Sequence, residues 1–553
     1  MIPRGSFFRG TLVLLALIGV LGQFASANAA PSTPVSDNSK TITISLPGPF
    51  NGCTFLDSGA NPTSNAVLDL VRPSAFLTSA NGNLVGESGA MATAELTSLQ
   101  PETVVYTISP NQHWSNGSVF SGRDLVAWWQ RARILASVHS DGYRAIKSMK
   151  VSTDGLTVTA VFATPYADWN LLFRDIEASG VAAGCSLASL VSRPSLGPYK
   201  VTNATPTRIV LTMNTKWAND LNRFGRIVLT TSNAIPSNVT TPFANYSLVV
   251  DRAQVQALSA HPSVLSHIGT SSNIGEITYA SGRPLTMSLA VREALSWSLN
   301  RQALINQLWG SVTFSPSVAA SALFSQGQSA YPGNNGSGPS TQSTTTTVSS
   351  GASSASGLSD CLACAYGVLR AAGYRHTAAG WVNANGGALT LKLAVGPSNL
   401  DRATATSVVK QWSAAGISTS VMNMSSDVAA AISVASNGAD AAIFTRPTLT
   451  APSYTARSWS GPPYSDTYPS GVRSASVSSL FAQAVKSFNP VAANAIWLSL
   501  DQSIMNSYWV RPLFTAPSLV EWASTVTGVS GGLSVSGFLD QETNWSSAPI
   551  PQG

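Results

Sequence analysis

The sequence predicts an α/β protein built from more than one lobe, and three observations carry that prediction. The chain has 553 residues, more than one hydrophobic core organises, since cores stop growing at ~250–300 residues. Hydrophobic residues make up 44% of it, ample material to bury. Its later half alternates short β-rich runs with helical stretches, the pattern of strands joined through helices into a largely parallel sheet.

The N-terminus is a separate element. Arg4 and Arg9 precede an apolar run from Thr11 to Leu21, then small residues ending Ala27-Asn28-Ala29-Ala30-Pro31. This is the layout of a secretory signal peptide over residues 1–29, cleaved after Ala29 or Ala27. The apolar run is shorter than the ~20 residues a membrane span needs. Export to the periplasm or the medium is the expectation.

After a polar lead-in, Thr41 to Leu46 alternates strictly and reads as a half-buried strand. It runs into Pro47-Gly48-Pro49-Phe50-Asn51-Gly52, a turn-rich loop. Val104–Ile108, Leu156–Phe162 and Arg208–Met213 are further strands. Asp124–Leu135 reads as a helix with Gly122 as a break ahead of it, and Val291–Leu308 as one continuous helix. Residues 325–359 are dominated by Gly, Ser, Thr, Pro and Asn, a composition expected to stay a disordered surface insertion. Beyond it come a helix over Tyr366–Ala372, a strand over Leu389–Val395 and a helix over Ala403–Ala415. A strand over 417–421, a helix over Val428–Ser436 and a strand over Ala441–Phe444 follow.

Charge and cysteine content narrow the function. Charged residues are 10% of the chain, far below the usual ~25%, so hydroxyl and amide side chains must cover the surface. No basic run interleaves with aromatics, which argues against a nucleic-acid partner. The four cysteines are Cys53, Cys185, Cys361 and Cys364. In an exported chain an even count favours disulfides, and four cysteines allow three pairings. A local 361–364 bridge with a long-range 53–185 bridge is the expectation. Cys361 and Cys364 have redox-motif or zinc-half-site spacing, but no second pair or histidine cluster accompanies them. No metal site and no cofactor are expected.

Several segments, in order, resemble the family 5 extracellular solute-binding proteins, the peptide and nickel receptors of ABC importers. Tyr106-Thr107-Ile108-Ser109-Pro110 leading to Trp114-Ser115-Asn116-Gly117-Ser118 is similar to the family's tyrosine strand and tryptophan turn. Asp124-Leu125-Val126 and Gly197-Pro198-Tyr199-Lys200-Val201 follow, with Asn214 and Trp217 just beyond. Val291-Arg292-Glu293-Ala294-Leu295 through Asn300-Arg301 resembles a further helical landmark, as do Ala372-Gly373-Tyr374, Ala415-Gly416-Ile417 and Gly438-Ala439-Asp440.

The resemblance implies a periplasmic-binding-protein type II-like fold: two lobes, a hinge and an inserted subdomain. Lobe I would comprise 31–60, 190–280 and 508–553, the subdomain 61–189 and lobe II 281–507. It implies a receptor, monomeric, that closes on a small peptide-like ligand and hands it to an ABC transporter permease. Two departures stand out. No cysteine stands at the cleavage site where many members carry a lipid anchor. Where peptide receptors keep an ammonium-binding Asp, this chain reads Thr445-Arg446-Pro447-Thr448. Arg446 would then favour an anionic or carbonyl-rich solute, leaving an uncharged or anionic non-peptide ligand as the alternative. Phe50, Asn51, Tyr454, Trp459 and Tyr464 complete the expected ligand contacts.

An enzyme is the competing class. Ser407-Val408-Val409-Lys410 fits an S-x-x-K pattern, but no Lys-Thr-Gly or Ser-Asp-Asn partner exists. No catalytic residue is therefore assigned.

Overall fold

The computed structural model describes residues 40–547 apart from 58–60, 88, 182–183, 218–223, 233–240, 249, 259–262, 311–315, 327, 329–330, 333–359, 449–450, 461–470, 473 and 541–544. The leader, Tyr464 and most of the Ser/Thr/Gly insertion lie outside the described residues. Where that insertion starts is corrected: Ser325 and Tyr331 are buried, and the Tyr331 hydroxyl accepts the Ala320 N–H at 2.8 Å.

Fourteen strands form the two larger sheets. They are β1 (Thr41–Ser45), β2 (Met91–Leu99), β3 (Glu102–Ile108), β4 (Ile146–Val151), β5 (Thr157–Phe162), β6 (Tyr199–Thr205) and β7 (Arg208–Met213). The rest are β8 (Arg226–Thr230), β9 (Phe243–Ser247), β10 (Val264–Tyr279), β11 (Thr390–Val395), β12 (Ser418–Asn423), β13 (Ala441–Pro447) and β14 (Val510–Ala523). One ten-stranded sheet runs β12-β11-β13-β10-β14-β9-β1-β8-β7-β6, and a four-stranded sheet runs β2-β3-β5-β4.

The large sheet is mixed. Parallel pairing holds for β12-β11-β13, whose strands are joined through helices, and for β9-β1-β8. The expectation of a largely parallel sheet is thus right for those triplets and wrong for the sheet as a whole. The two long strands β10 and β14 are antiparallel to each other and to their outer neighbours.

These long strands run through both halves of the sheet. Val264–Thr270 pairs with Pro517–Ala523, the register then shifts, and Ile274–Thr278 pairs with Val510–Thr515. Ser271 fills the interruption: its hydroxyl donates to the Ala516 carbonyl at 2.7 Å and accepts the Asn273 N–H at 3.0 Å. Separate cores sit to either side. Ile42, Ile44, Tyr246 and Phe538 belong to one, and Leu295, Leu393, Trp412 and Phe514 to another. A third gathers Tyr106, Trp128 and Tyr143 over the small sheet. The burial of β3, inside at every second residue, is the period-2 signature read from sequence.

Local chemistry moves two helix boundaries. Of helices α1 (Pro62–Asp69), α2 (Gly122–Ala132), α3 (Leu289–Trp297) and α4 (Arg301–Trp309), α2 begins earlier than expected. Ser121 caps it and the Asp124 carboxylate returns to the Ser121 N–H at 2.9 Å, so Gly122 is its first residue and not a break. The expected helix 291–308 is two, because the Asn300 side chain accepts the Ala303 N–H at 2.8 Å and starts α4 afresh.

Disulfides join Cys53 to Cys185 and Cys361 to Cys364. The first holds the loop after β1 against the segment before the helix Leu187–Ser192. Gly52 beside it is obligatory, since a Cβ there would lie 1.9 Å from the Ser186 carbonyl oxygen. The second spans the first turn of α5 (Leu362–Ala371).

Candidate functional site

A cavity of about 130 Å³ opens where the register of β10 and β14 breaks. Segments distant in sequence contribute its walls. α1 supplies Asn65, and the hairpin formed by Phe76–Thr78 and Leu84–Gly86 supplies Phe76 and Thr78. His139 and Arg174 come from the region of the small sheet, and Ser272 and Asn273 from the break in β10. The end of β13 and helix α8, after α6 (Asn399–Ala414) and α7 (Asp427–Ala435), bring Thr448 and Tyr454, with α8 spanning Pro452–Ser460. Thr448 is pinned by its N–H and hydroxyl, both donated to the Ser272 carbonyl at 2.6 and 2.8 Å. Asn273 is held through Nδ2 to the Leu248 carbonyl at 3.2 Å.

Arg174 is the charged side chain of this wall among the described residues. Its Nη2 lies 2.7 Å from Asp69 Oδ2 and its Nε 3.1 Å from Asp69 Oδ1, a two-pronged pair. Nη1 donates to Thr78 Oγ1 at 3.3 Å and Nη2 to Ser536 Oγ at 3.1 Å. Burial works against the Arg174 charge, but the facing Asp69 and Asp175 outweigh it and its pKa rises. Asp175 is fully buried, 3.9 Å from Arg174, and its carboxyl oxygens have no hydrogen-bond partner. Burial first, then Asp69, pushes its pKa well above the usual carboxylate range. The cluster is therefore close to neutral.

His139 stands edge-on to Tyr454, ring centroids 4.3 Å apart, and to Phe55 at 5.1 Å. Desolvation, then the Arg174 charge, lowers its pKa to about 3. It is a neutral imidazole at physiological pH. Nearby, Arg457 Nη2 lies 2.8 Å from Asp141 Oδ2, and the Ala167 N–H donates to the Val485 carbonyl at 2.7 Å. These contacts join the side of the small sheet to α8 and the helix Ala475–Ala484 with the turn after it.

Of the contacts expected from sequence, Tyr454 lines the cavity. Phe50 is buried in the core beside β1, its N–H donated to the Pro206 carbonyl at 2.8 Å. Asn51 accepts the Cys53 N–H at 3.0 Å and so shapes its own loop. Arg446 is buried on β13, with Nε 2.9 Å from Glu276 Oε1 and its guanidinium 5.1 Å from the Trp459 ring. It also donates to the Ala322 carbonyl. Trp459 packs with Trp497 and Leu500 in a helical core. Arg446 and Trp459 thus fix the end of β13 against β10 and a helical core, and neither lines the cavity. Ser407 of the S-x-x-K pattern donates to Gln307 Oε1 at 2.8 Å inside α6 packing.

Sequence reading missed Asn65, His139, Arg174 and Asn273. One available signal was the scarcity of charge: Arg174-Asp175 directly follows the apolar Leu171-Leu172-Phe173, an unusual place for two ions. Among the described residues no group of three or more His, Cys, Asp or Glu could hold a metal.

Residues 88–470 match the profile of the bacterial extracellular solute-binding proteins, family 5 Middle. The chain belongs to that family. Family 5 relatives include the oligopeptide-binding protein OppA of Mycobacterium bovis, 26% identical over 300 residues, which cover 50% of each chain. The probable monoacyl phosphatidylinositol tetramannoside-binding protein LpqW of Mycobacterium tuberculosis is 27% identical over 319 residues, 52% of this chain and 49% of that one. The chain spans about half the length of these curated relatives. Among solved structures, the periplasmic EDTA-binding protein EppA superposes with a TM-score of 0.79 at 19% identity, covering 96% of this chain and 100% of that one. The oligopeptide-binding protein AppA of Bacillus subtilis, in complex with a nonapeptide, gives 0.68 at 13% identity, over 92% and 99%. Both likenesses establish the fold.

Proposed function

We propose that this chain is the exported substrate-binding receptor of an ABC-type importer, capturing a peptide or related small solute between its lobes. The observation that carries the reading is the cavity's position. It sits at the longer interruption of the pairing between the two long strands, between Thr270 and Ile274, with walls from α1, the small-sheet region and the end of β13. A rotation about residues 271–273 would open all of these walls at once, which is hinge closure. Lobe I at 31–60, 190–280 and 508–553, a subdomain at 61–189 and lobe II at 281–507 are the bodies proposed to move.

The chemistry supports binding without turnover. The wall's imidazole, His139, has a pKa near 3 and is a weak general base at neutral pH. No helix among the described residues is long and apolar enough to cross a membrane. A separate permease is the proposed partner, as family membership suggests. The receptor acts as a monomer and needs no nucleic acid.

The test is small-angle scattering of the mature chain, first stripped of ligand by unfolding and refolding, then supplied with the solutes that stripping released. The released solutes are expected to compact it and raise its Tm. Release of product from tri-alanine by the pure protein would overturn the reading.

A further inference from the structure

We infer that the cavity selects an uncharged polar solute and discriminates against any ligand carrying a free ammonium group. The inference rests on the receptor reading above and sharpens it to a chemical class.

The charge inventory of the wall leads there. An ammonium needs a carboxylate facing it, and the described residues lining the cavity include none. The nearest acid, Asp69, spends both oxygens on Arg174. Asp175 is fully buried beneath, with its pKa raised by burial and by Asp69. An ammonium left in such a cavity without its counter-charge binds ~30- to several-thousand-fold more weakly than a paired one.

An anion fares little better. Each of the three guanidinium nitrogens of Arg174 is already engaged, by Asp69, Thr78 or Ser536. A ligand carboxylate would have to share the guanidinium with Asp69, whose own charge repels it. His139 adds no positive charge, because its pKa lies near 3.

What the wall does offer is a neutral acceptor. Asn65 Oδ1 is buried and has no hydrogen-bond partner, so a ligand O–H or N–H completes it. Phe76 and Tyr454 supply apolar surface in the same cavity. At about 130 Å³ the space is below the ~300–1,000 Å³ of drug-sized pockets. A compact molecule with both C–H faces and neutral donors fits: a small sugar, a polyol or a capped amide.

The experiment is a thermal-shift and calorimetric comparison on the intact mature chain with three sets of small probes. One set is neutral (glucose, mannose, N-acetyl-alanine-N-methylamide), one carries ammonium (alanine, Ala-Ala, Gly-Lys), and one is carboxylate (succinate, citrate). Only the neutral set is expected to raise Tm, with an affinity that falls no more than about fivefold between 50 and 500 mM salt, since the ligand itself carries no charge to screen. Asn65→Asp places a carboxylate in the wall near the start of α1, where an acid suits the helix. It is expected to admit Ala-Ala, whereas Asn65→Leu, which removes the acceptor, is expected to weaken the neutral ligand tenfold or more.

Stronger binding of Ala-Ala or citrate than of every neutral probe to the wild type would overturn the inference and leave the receptor reading intact. A neutral ligand that binds Asn65→Leu as well as wild type would remove Asn65 from the site and overturn the acceptor argument. Silence of all three sets, with a cooperative unfolding transition preserved, would sink the receptor reading itself.

Discussion

Two buried arginines, Arg174 and Arg446, make an instructive pair. Each meets a carboxylate far away in sequence: Arg174 meets Asp69 at 2.7 Å, and Arg446 meets Glu276 at 2.9 Å. Arg174 sits at the cavity, one-fifth exposed, in contact with hydroxyls of Thr78 and Ser536. Arg446 is 2% exposed, sealed between β10, the Ala322 carbonyl and the Trp459 ring. The residue type and the partner are alike. The surroundings decide that one shapes a binding surface and the other fixes a core.

The largest effect should come from the sealed pair. Arg446→Leu leaves Glu276 buried without its partner, and removing one member of such a pair costs about 3–5 kcal/mol. The loss should depend on pH in a defined sense. Burial already raises the Glu276 pKa, and Arg446 is what opposes the rise. Without Arg446 the carboxyl takes up a proton more readily, so the variant should recover part of its stability at pH 5 relative to pH 8. Urea unfolding at the two pH values measures this. An equal loss at both would mean that the pair's electrostatics contribute little and packing against Trp459 dominates.

At the cavity the balance between stability and binding should invert. Arg174→Lys keeps the charge but loses the two-pronged fork to Asp69. A stability loss of about 1–2 kcal/mol is expected, together with a tenfold or greater loss of affinity for whichever solute the wild type binds. The comparison between the two arginines fails if Arg174→Lys leaves affinity untouched.

The contrast also marks how far the sequence could be read. Strands β1, β3, β7 and β11–β13 were legible because period-2 alternation and Gly-terminated helices are local signals. So was the early capping of α2, in principle: Ser121 and Asp124 have capping-box spacing, and Gly122 distracted from it. The mixed pairing of β10 and β14 was not legible, because register across ~250 residues of intervening chain leaves no periodic mark. The cavity was least legible. Asn65, His139, Arg174 and Asn273 lie on four separate segments, and nothing local distinguishes a polar side chain facing a cavity from one facing solvent. Arg446 shows the converse: a charged residue in a loop-like motif turned out to be core.

A third carboxylate site extends the comparison to charge without an arginine. Asp427 at the start of α7 shares a hydrogen bond with Asp401 at the start of α6, and burial, then the Asp401 charge, raises its pKa to about 8. Asp501, buried under Ala322 and Leu323, is raised to about 6 by burial. Groups whose folded pKa is raised contribute stability that is complete below the unfolded value, ~4, and lost as pH rises through the folded value. The protein should therefore be most stable in mild acid and lose stability from about pH 5 to pH 9. Asp427→Asn removes the titrating partner and should flatten that decline, by an amount on the order of 1 kcal/mol at pH 8. A wild-type Tm that climbs over the same range would contradict the assignment of these carboxyls as protonated.

The smallest effect on stability should carry the clearest effect on motion. Arg457 and Asp141 pair across the side of the cavity at 2.8 Å, with side chains 16% and 24% exposed. Such partly solvated pairs contribute about 0.2–1 kcal/mol, so Asp141→Asn should leave unfolding almost unchanged. On the proposed lobe closure the same increment acts differently, since opening would separate Arg457 from Asp141. Removing it shifts the closed-to-open ratio by a factor of up to about five. Arg174 and Arg446 are untouched by the change, so the cavity wall and the core both persist. The expected signature is a faster dissociation rate and a larger radius of gyration without ligand, at an unchanged urea midpoint. Raised salt should reproduce it in the wild type, because screening weakens a partly exposed pair. An Asp141→Asn variant whose dissociation rate and ligand-free radius both match the wild type would show that the His139–Tyr454 contact and the Ala167–Val485 hydrogen bond hold the closed state without this pair.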